Sequence, residues 1–387
     1  MRSSVDHVII GGGPAGAMLG LRLASAGYDV MLLEKQHEPH HKVCGEFLSA
    51  EAVNYLRRVG IDPIDLGAHP IQRVRLHSGG TRVQARLPFT ALSLSRRILD
   101  RTLLEAAEQM GCNVHRGAFV EKVSRDRDGF SVEIRCGRVV RARTVFLASG
   151  KHDLPEIPRG RGIHSDLVGF KMHWRLASVQ LKALDKTMDL FLFRDGYGGL
   201  SLVENGAANL CFVLRQRRLR ELGGWSALLS VICEEIPAIG RILQGATQCW
   251  PKPLAISPIP YGYFARSANG IWPVGDQAAV IPSFTGDGMS IALHSANLAA
   301  DMYLAFKTPD EYLDCLYSHL RSGMRLSTAL SRFMVNPIAR MLAPLALAVA
   351  PGAMNWIAAQ TRIPARVLRD KMPSANAPAG HSPAPAA

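Results

Sequence analysis

The run Gly11-Gly12-Gly13-Pro14-Ala15-Gly16 constrains this chain more than any other feature. It lies between the apolar segment His7-Val8-Ile9-Ile10 and a helical pattern from Ala17 to Ala26 that Gly27 closes. A second apolar run, Val30-Met31-Leu32-Leu33, ends at Glu34, so the segment reads as a strand–turn–helix–strand unit. In Gly11-x-Gly13-x-x-Gly16 the glycines permit a tight turn, close backbone approach to a pyrophosphate, and close packing of helix on strand. The helix N-terminus adds N–H donors and partial positive charge. Glu34 stands 18 residues after Gly16, where a carboxylate accepts hydrogen bonds from ribose hydroxyls, and an acid there argues against a 2′-phosphate. FAD and NAD both fit, with Pro14, Ala15 and Lys35 completing the expected contacts.

Composition narrows the setting. A chain of 387 residues, 48% hydrophobic and 20% charged, buries a large core and predicts two connected domains or one large α/β unit. The excess of 45 Lys and Arg over 32 Asp and Glu gives +13, which favours acidic partners: phosphorylated cofactors, anionic lipid or an acidic carrier protein, with nucleic acid not expected. Seven scattered cysteines without a C-x-x-C pair exclude a disulfide framework and a structural zinc site, and point to a reducing, cytoplasmic compartment. The apolar start is broken by Gly11 to Pro14, so it reads as a first strand rather than a signal peptide.

Further along, Glu51 to Arg58 reads as a helix, Val74 to Leu87 as a hairpin, Arg96 to Met110 as an amphipathic helix, and 113–123, 130–135 and 138–148 as strands. The segment from about 165 to 265 is mostly β, with turns at Asp195-Gly196 and Asn205-Gly206 and a helix near 225–236. The expected organisation is a discontinuous nucleotide domain (1–72, 91–164, 266–308), a β-rich substrate domain (73–90, 165–265), C-terminal helices (309–371) and a disordered tail (372–387).

Downstream, Trp272-Pro273-Val274-Gly275-Asp276 is followed by Ile281-Pro282-Ser283-Phe284-Thr285-Gly286-Asp287-Gly288-Met289. With these motifs the chain resembles the flavoprotein monooxygenase and geranylgeranyl reductase superfamily, which has the p-hydroxybenzoate hydroxylase fold. The resemblance implies an α/β (α+β overall) fold: a Rossmann-like FAD-binding domain with an inserted antiparallel β-sheet. It implies that Asp276 contacts the ribityl chain and pyrophosphate, and that Pro282, Gly286, Asp287, Gly288 and Met289 lie along the flavin ring. A helix start at Gly288 would stabilise negative charge on a reduced flavin. Ser95-Arg96-Arg97 resembles the family's arginine-bearing helix start, with Arg97 assigned to the flavin and Arg96 as the alternative. Lys42-Val43-Cys44-Gly45-Glu46 resembles the Cys-Gly-Glu segment of the geranylgeranyl reductase branch, which places Cys44 and Gly45 near the ring; Cys44 is the one catalytic candidate, and Glu46 is read as structural. Where hydroxylases of this superfamily carry an Asp-Gly motif tied to nicotinamide use, this chain has Lys151-His152-Asp153, which leaves the electron donor open between NAD(P)H, a ferredoxin and a quinone. The Trp-x-Trp-x-Ile-Pro motif of flavin halogenases is absent.

Tyr197 is the candidate substrate-pocket residue. His164, His173 and His294 show no ligand spacing and read as ordinary polar residues, and no metal site is expected. Met341 to Thr361 carries no charge, and Arg321 to Lys371 holds eight basic residues against one acid, Asp370, which suits helices that cap the pocket, an anionic membrane surface at the inner face of the membrane, or an acidic acyl carrier. The combined expectation is an FAD-dependent oxidoreductase delivering hydride to an apolar isoprenoid, polyketide or polyene-like molecule, free or carrier-tethered. The alternatives are an aromatic monooxygenase using NAD(P)H and O2, and a flavin-free scaffold.

Overall fold

The computed structural model describes residues 4–368 except 136 and 351, so the tail expected at 372–387 lies outside the described residues. Four parallel strands form the heart of the first sheet, in the order Asn113–Arg116, Val30–Glu34, Ser4–Ile10 and Arg138–Leu147. Trp272–Pro273 adds in parallel to the last strand, although it is remote in sequence. This pairing closes the nucleotide domain from three chain segments. Val30 to Leu33 is buried on both faces, which is why that run is continuously apolar rather than alternating. Ile9 and Leu32 face the helices Pro14–Ser25, Arg96–Gln109 and Gly288–Leu304, whereas Val8, Ile10, Met31 and Leu33 face the antiparallel strands Val120–Asp126 and Gly129–Ile134.

The second sheet has nine strands, and the hairpin His69–Ser78/Thr81–Ser93 is part of it: His69–Ser78 pairs in parallel with Thr187–Phe193. The hairpin strands run longer than the 74–87 segment read from alternation. Asp195 and Asn205 take positive φ at the two turns expected from their Asp-Gly and Asn-Gly pairs. One face of this sheet, with Phe170, Met172, Phe191 and Phe212, packs on helices Trp225–Glu235 and Pro237–Leu243. The other face carries Lys171, His173, Leu192, Tyr197 and Val213 and turns toward the nucleotide domain and the C-terminal helices. Helices Ser178–Leu184, Gln216–Leu222 and Pro237–Leu243 were not visible in the sequence pattern. They are only seven residues each, shorter than a reliable period.

At the C-terminus, Thr308 forms a capping box with Glu311 at the head of Pro309–Met334. The uncharged stretch 341–361 is not one rod. Helices Pro337–Leu347 and Gly352–Gln360 meet at 114°, and among the described residues no single helix is long and apolar enough to cross a membrane.

Candidate active site

The glycines of the expected cofactor track fall into two groups. Gly11 has φ +107°, and a Cβ there would lie 2.5 Å from the Ala148 carbonyl oxygen; at Gly16 it would lie 1.9 Å from the Gly11 carbonyl oxygen. These two are glycine because the protein itself leaves no room. Gly13 is different: its φ is −74°, and a Cβ would meet only the Arg96 guanidinium at 3.5 Å. Cβ atoms at Gly45 and Gly288 would meet nothing within 4 Å. Glycines that the fold does not require, strung along one track, mark a cradle that a bound group fills. The donor set fits FAD. Glu34 accepts from Gly12 N at 2.7 Å and Gln36 N at 3.0 Å, and with Gly12, Lys42 and Leu104 it lines a cleft beside the glycine loop. Lys35 is half-buried, and burial pushes its ammonium down.

The downstream motif closes on this loop. Gly275, at φ +61°, packs against Ala15, with its N–H donating to Ser295 Oγ at 2.8 Å. Asp276 is partly exposed and pairs with Lys151 at 3.1 Å, which gives the departed Lys151-His152-Asp153 segment a structural role. Pro282 precedes the turn Ser283–Thr285, and Gly286 at φ +73° abuts the Phe47 ring, where a Cβ would be 2.5 Å from the ring. Two expected contacts are turned elsewhere. Asp287 is buried on Arg362 at 3.0 Å, with burial outweighing that arginine and pushing its carboxyl up to about 6, and the Met289 side chain packs in the core. For Met289 only the backbone remains for a ligand, whereas Asp287 Oδ2 is buried without a hydrogen-bond partner.

Of the two candidate arginines, the structure turns Arg96 inward and Arg97 outward. Arg97 is exposed, whereas Arg96 sits at the helix start capped by Ser95, paired in bidentate fashion with Asp100 at 2.7 and 2.9 Å. Burial works against its charge, but Asp100 and the neighbouring Cys44 hold it protonated. Arg96 therefore fixes a positive charge between Gly13 and Cys44.

Behind that arginine lies a cluster that neither spacing nor composition revealed. Glu46 is fully buried at φ +57°, a conformation that costs a non-glycine residue about 1 kcal/mol. It is held there by Leu94 N and Ser93 Oγ, both donating to its carbonyl at 3.1 Å. Its carboxylate accepts from Lys171 Nζ, from Arg96 N at 2.8 Å, and bonds His173 Nε2 at 2.7 Å. Burial alone would raise this carboxyl, yet Lys171 and then His173 outweigh it and hold it at about 2. His41 stacks on Trp250 and meets the His173 ring edge-on, both with centroids 4.8 Å apart; burial, then Lys171 and His173, lower it to about 4, so it is neutral at pH 7. Lys171 and His173 are two residues apart on one strand, hence on one face. Cys211 and Asn209 oppose them in register; Asn209 Nδ2 donates to the Cys44 carbonyl at 3.1 Å, and Cys44 Sγ accepts from Glu46 N at 3.3 Å. Burial pushes the Cys211 thiol up to about 12. Cys44 thus sits where the loop, Arg96 and the sheet converge. Tyr197 lies on the same sheet face, its ring edge-on to Phe284 at 5.6 Å and its hydroxyl 3.1 Å from Ser331 Oγ.

Residues 4–147 match the FAD-binding domain family. A menaquinone reductase of Mycolicibacterium smegmatis is 25% identical over 367 residues, covering 87% of this chain and 86% of that protein. Digeranylgeranylglycerophospholipid reductase 2 of Methanopyrus kandleri is 27% identical, covering 77% and 76%. Among solved structures, a flavin-dependent brominase superposes with a TM-score of 0.77 over 94% of this chain and 93% of its own at 16% identity, a likeness of fold. The chain is an FAD-dependent oxidoreductase. It is thereby an enzyme, and the flavin-free scaffold is set aside. In this flavoenzyme Glu34 bonds the glycine loop at Gly12, and the Gly275-Asp276 turn packs on the same loop at Ala15. Lys171 and His173 were missed because their signal is a partner remote in sequence: Glu46 is 125 and 127 residues away. A lysine at the centre of a largely apolar strand was a visible hint.

Proposed function

We propose that this flavoenzyme reduces carbon–carbon double bonds of an apolar, isoprenoid-bearing molecule. FAD, when bound and reduced, supplies the hydride equivalent. Saturating a double bond also consumes one proton, and the chain must provide it in a dry setting. The observation that carries the reading is the buried Glu46–Lys171–His173 set. It holds protons at Lys171 Nζ and His173 Nε2 against one carboxylate, on the sheet face that continues into Leu192, Tyr197 and Val213. Arg96 offsets negative charge beside Cys44, and the apolar sheet face with the C-terminal helices excludes water from the reacting double bond. Both relatives are named as reductases of isoprenoid lipids, which supports the substrate class.

The test is a half-reaction. Enzyme reduced with dithionite under argon is mixed with a menaquinone or with a geranylgeranyl lipid in detergent while the flavin absorbance is followed. Stoichiometric return of the oxidised spectrum with a saturated prenyl product is expected. No return without air, and an oxygenated product once air is admitted, would instead establish the monooxygenase alternative.

A further inference from the structure

Helix Pro337–Val349 is apolar on both faces. Its inner residues, Ala343 and Leu347, pack with Met354 against the cluster containing Leu192, Tyr197 and Val213. Its outer residues Ile338, Met341, Leu342, Leu345 and Val349 follow three- and four-residue spacing, so they form one stripe, and each is between 51% and 88% exposed. Phe333 precedes the stripe and Trp356, 57% exposed, follows it on the next helix. Soluble surfaces rarely leave so many large apolar side chains contiguous and uncovered. The charge around them has one sign: from Arg321 to Leu368 there are six arginines and no Asp or Glu. Arg321, Arg325, Arg332 and Arg366 are exposed, whereas Arg362 is spent on Asp287.

We propose that the bent pair Pro337–Val349 and Gly352–Gln360 lies in the interface of an anionic bilayer, its outer stripe among the acyl chains and its arginines on the headgroups. The first helix is about 20 Å long, short of a span but right for lying in the plane. A tryptophan beside the stripe matches the interfacial preference of that side chain. An acidic protein partner would match the arginines, but it gives no account of seven exposed apolar side chains. The inner face of the same helix roofs the apolar sheet wall, so docking sets that wall beside the lipid phase. The inference stands on the patch and not on the proposed reaction.

The test uses the FAD-loaded full chain and sucrose-filled vesicles. Co-sedimentation is expected with phosphatidylglycerol-containing vesicles, about tenfold weaker with pure phosphatidylcholine, and weaker at high salt. The variant Leu345→Glu/Val349→Glu should lose about 100-fold in partitioning, since two side chains forfeit their burial in lipid. Both sites are exposed, so its flavin content and thermal midpoint should match the parent. A milder variant, Met341→Ser/Leu345→Ser, should fall between the two. Failure of the parent chain to bind anionic vesicles overturns the inference, as does undiminished binding by the glutamate variant. Vesicle-independent dimerisation that the variant abolishes, or saturable binding to an acidic acyl carrier protein in place of vesicles, also overturns it. Turnover on detergent-dispersed lipid should be unchanged in the variant, which separates failure of docking from failure of the proposed reaction.

Discussion

Replacing Lys171 by Met tests the central cluster most sharply. Methionine keeps an unbranched apolar stem where Lys171 is fully buried, but removes the ammonium that is the chief force holding Glu46 ionised. Glu46 then keeps only His173 and the Arg96 N–H. Breaking a buried ion pair from one side costs about 3–5 kcal/mol, a large share of the 5–15 kcal/mol that holds a typical domain folded. Removing both charges in Glu46→Gln/Lys171→Met should cost only about 1 kcal/mol, because no unpaired charge is left. The two sites are in contact, so the costs should not add: the double variant should fall short of the summed single variants by at least about 2 kcal/mol. Urea unfolding at pH 7.5 of flavin-stripped parent, single and double variants gives these differences without ligand linkage. A second signature follows from the sign of the shift. In the parent, Glu46 sits below its ordinary value, so its stabilisation is present above about pH 4.5 and lost on acidification toward pH 2. In Lys171→Met the folded carboxyl rises above its unfolded value and the native state binds the extra proton, so the variant's stability deficit against the parent should narrow as pH falls toward 5. Additive costs, or a deficit that stays constant on acidification, would refute this account of the cluster.

Other outcomes follow from the same geometry. Gly13→Ala should fold with a thermal midpoint close to the parent, since its φ suits alanine and its nearest neighbour is 3.5 Å away, yet bind FAD about 10- to 100-fold more weakly by titration as one or two charge-assisted hydrogen bonds are lost. Gly11→Ala should lose the fold itself, because the new Cβ meets the Ala148 carbonyl oxygen at 2.5 Å; equal behaviour of the two would erase the distinction drawn between them. Cys44→Ala should keep full flavin occupancy while changing the rate at which substrate reoxidises the reduced flavin, and unchanged rates would remove Cys44 from the chemistry. The thermal midpoint should fall as pH drops below about 6.5. His41 and His294, lowered by burial to about 4 and about 3, stay neutral in the fold while their unfolded forms take protons; Asp287, held near 6, works in the opposite direction and blunts the fall. A midpoint unchanged between pH 7 and 5 would contradict these assignments.

The nucleotide half was legible because its signals are local. A glycine loop between a strand and a helix, an acid at the next strand end and a Gly-Asp turn each declare themselves within a few residues, and Gly11 to Glu34 assemble as their spacing implies. What sequence left open was which atoms face the cofactor. Arg96 and Arg97 are neighbours of equal character, and only the helix start and the pairing with Asp100 select Arg96. Asp287 reads as part of a glycine-rich cofactor motif, but Arg362, 75 residues on, claims its carboxylate. The Glu46 cluster was illegible for the same reason on a larger scale: three elements from separate parts of the chain bring together residues that look ordinary one at a time. The C-terminal helices show a third case. Their apolar composition was plain, but the division into an inner face that packs and an outer face that does not depends on where the sheet stands.

The most direct test of the proposed reduction is a single turnover in deuterated water. Reduced enzyme and a stoichiometric isoprenoid quinone are reacted anaerobically, and the product is read by mass spectrometry after reoxidation of its ring. The account predicts a prenyl chain saturated at one double bond and carrying two deuterons, one by way of the solvent-exchangeable hydrogen of the reduced flavin and one from the proton the chain delivers, with the yield depressed in Lys171→Met. A product with an intact prenyl chain, reduced only at the quinone ring, or one that appears only with oxygen and carries an added oxygen atom, would contradict it.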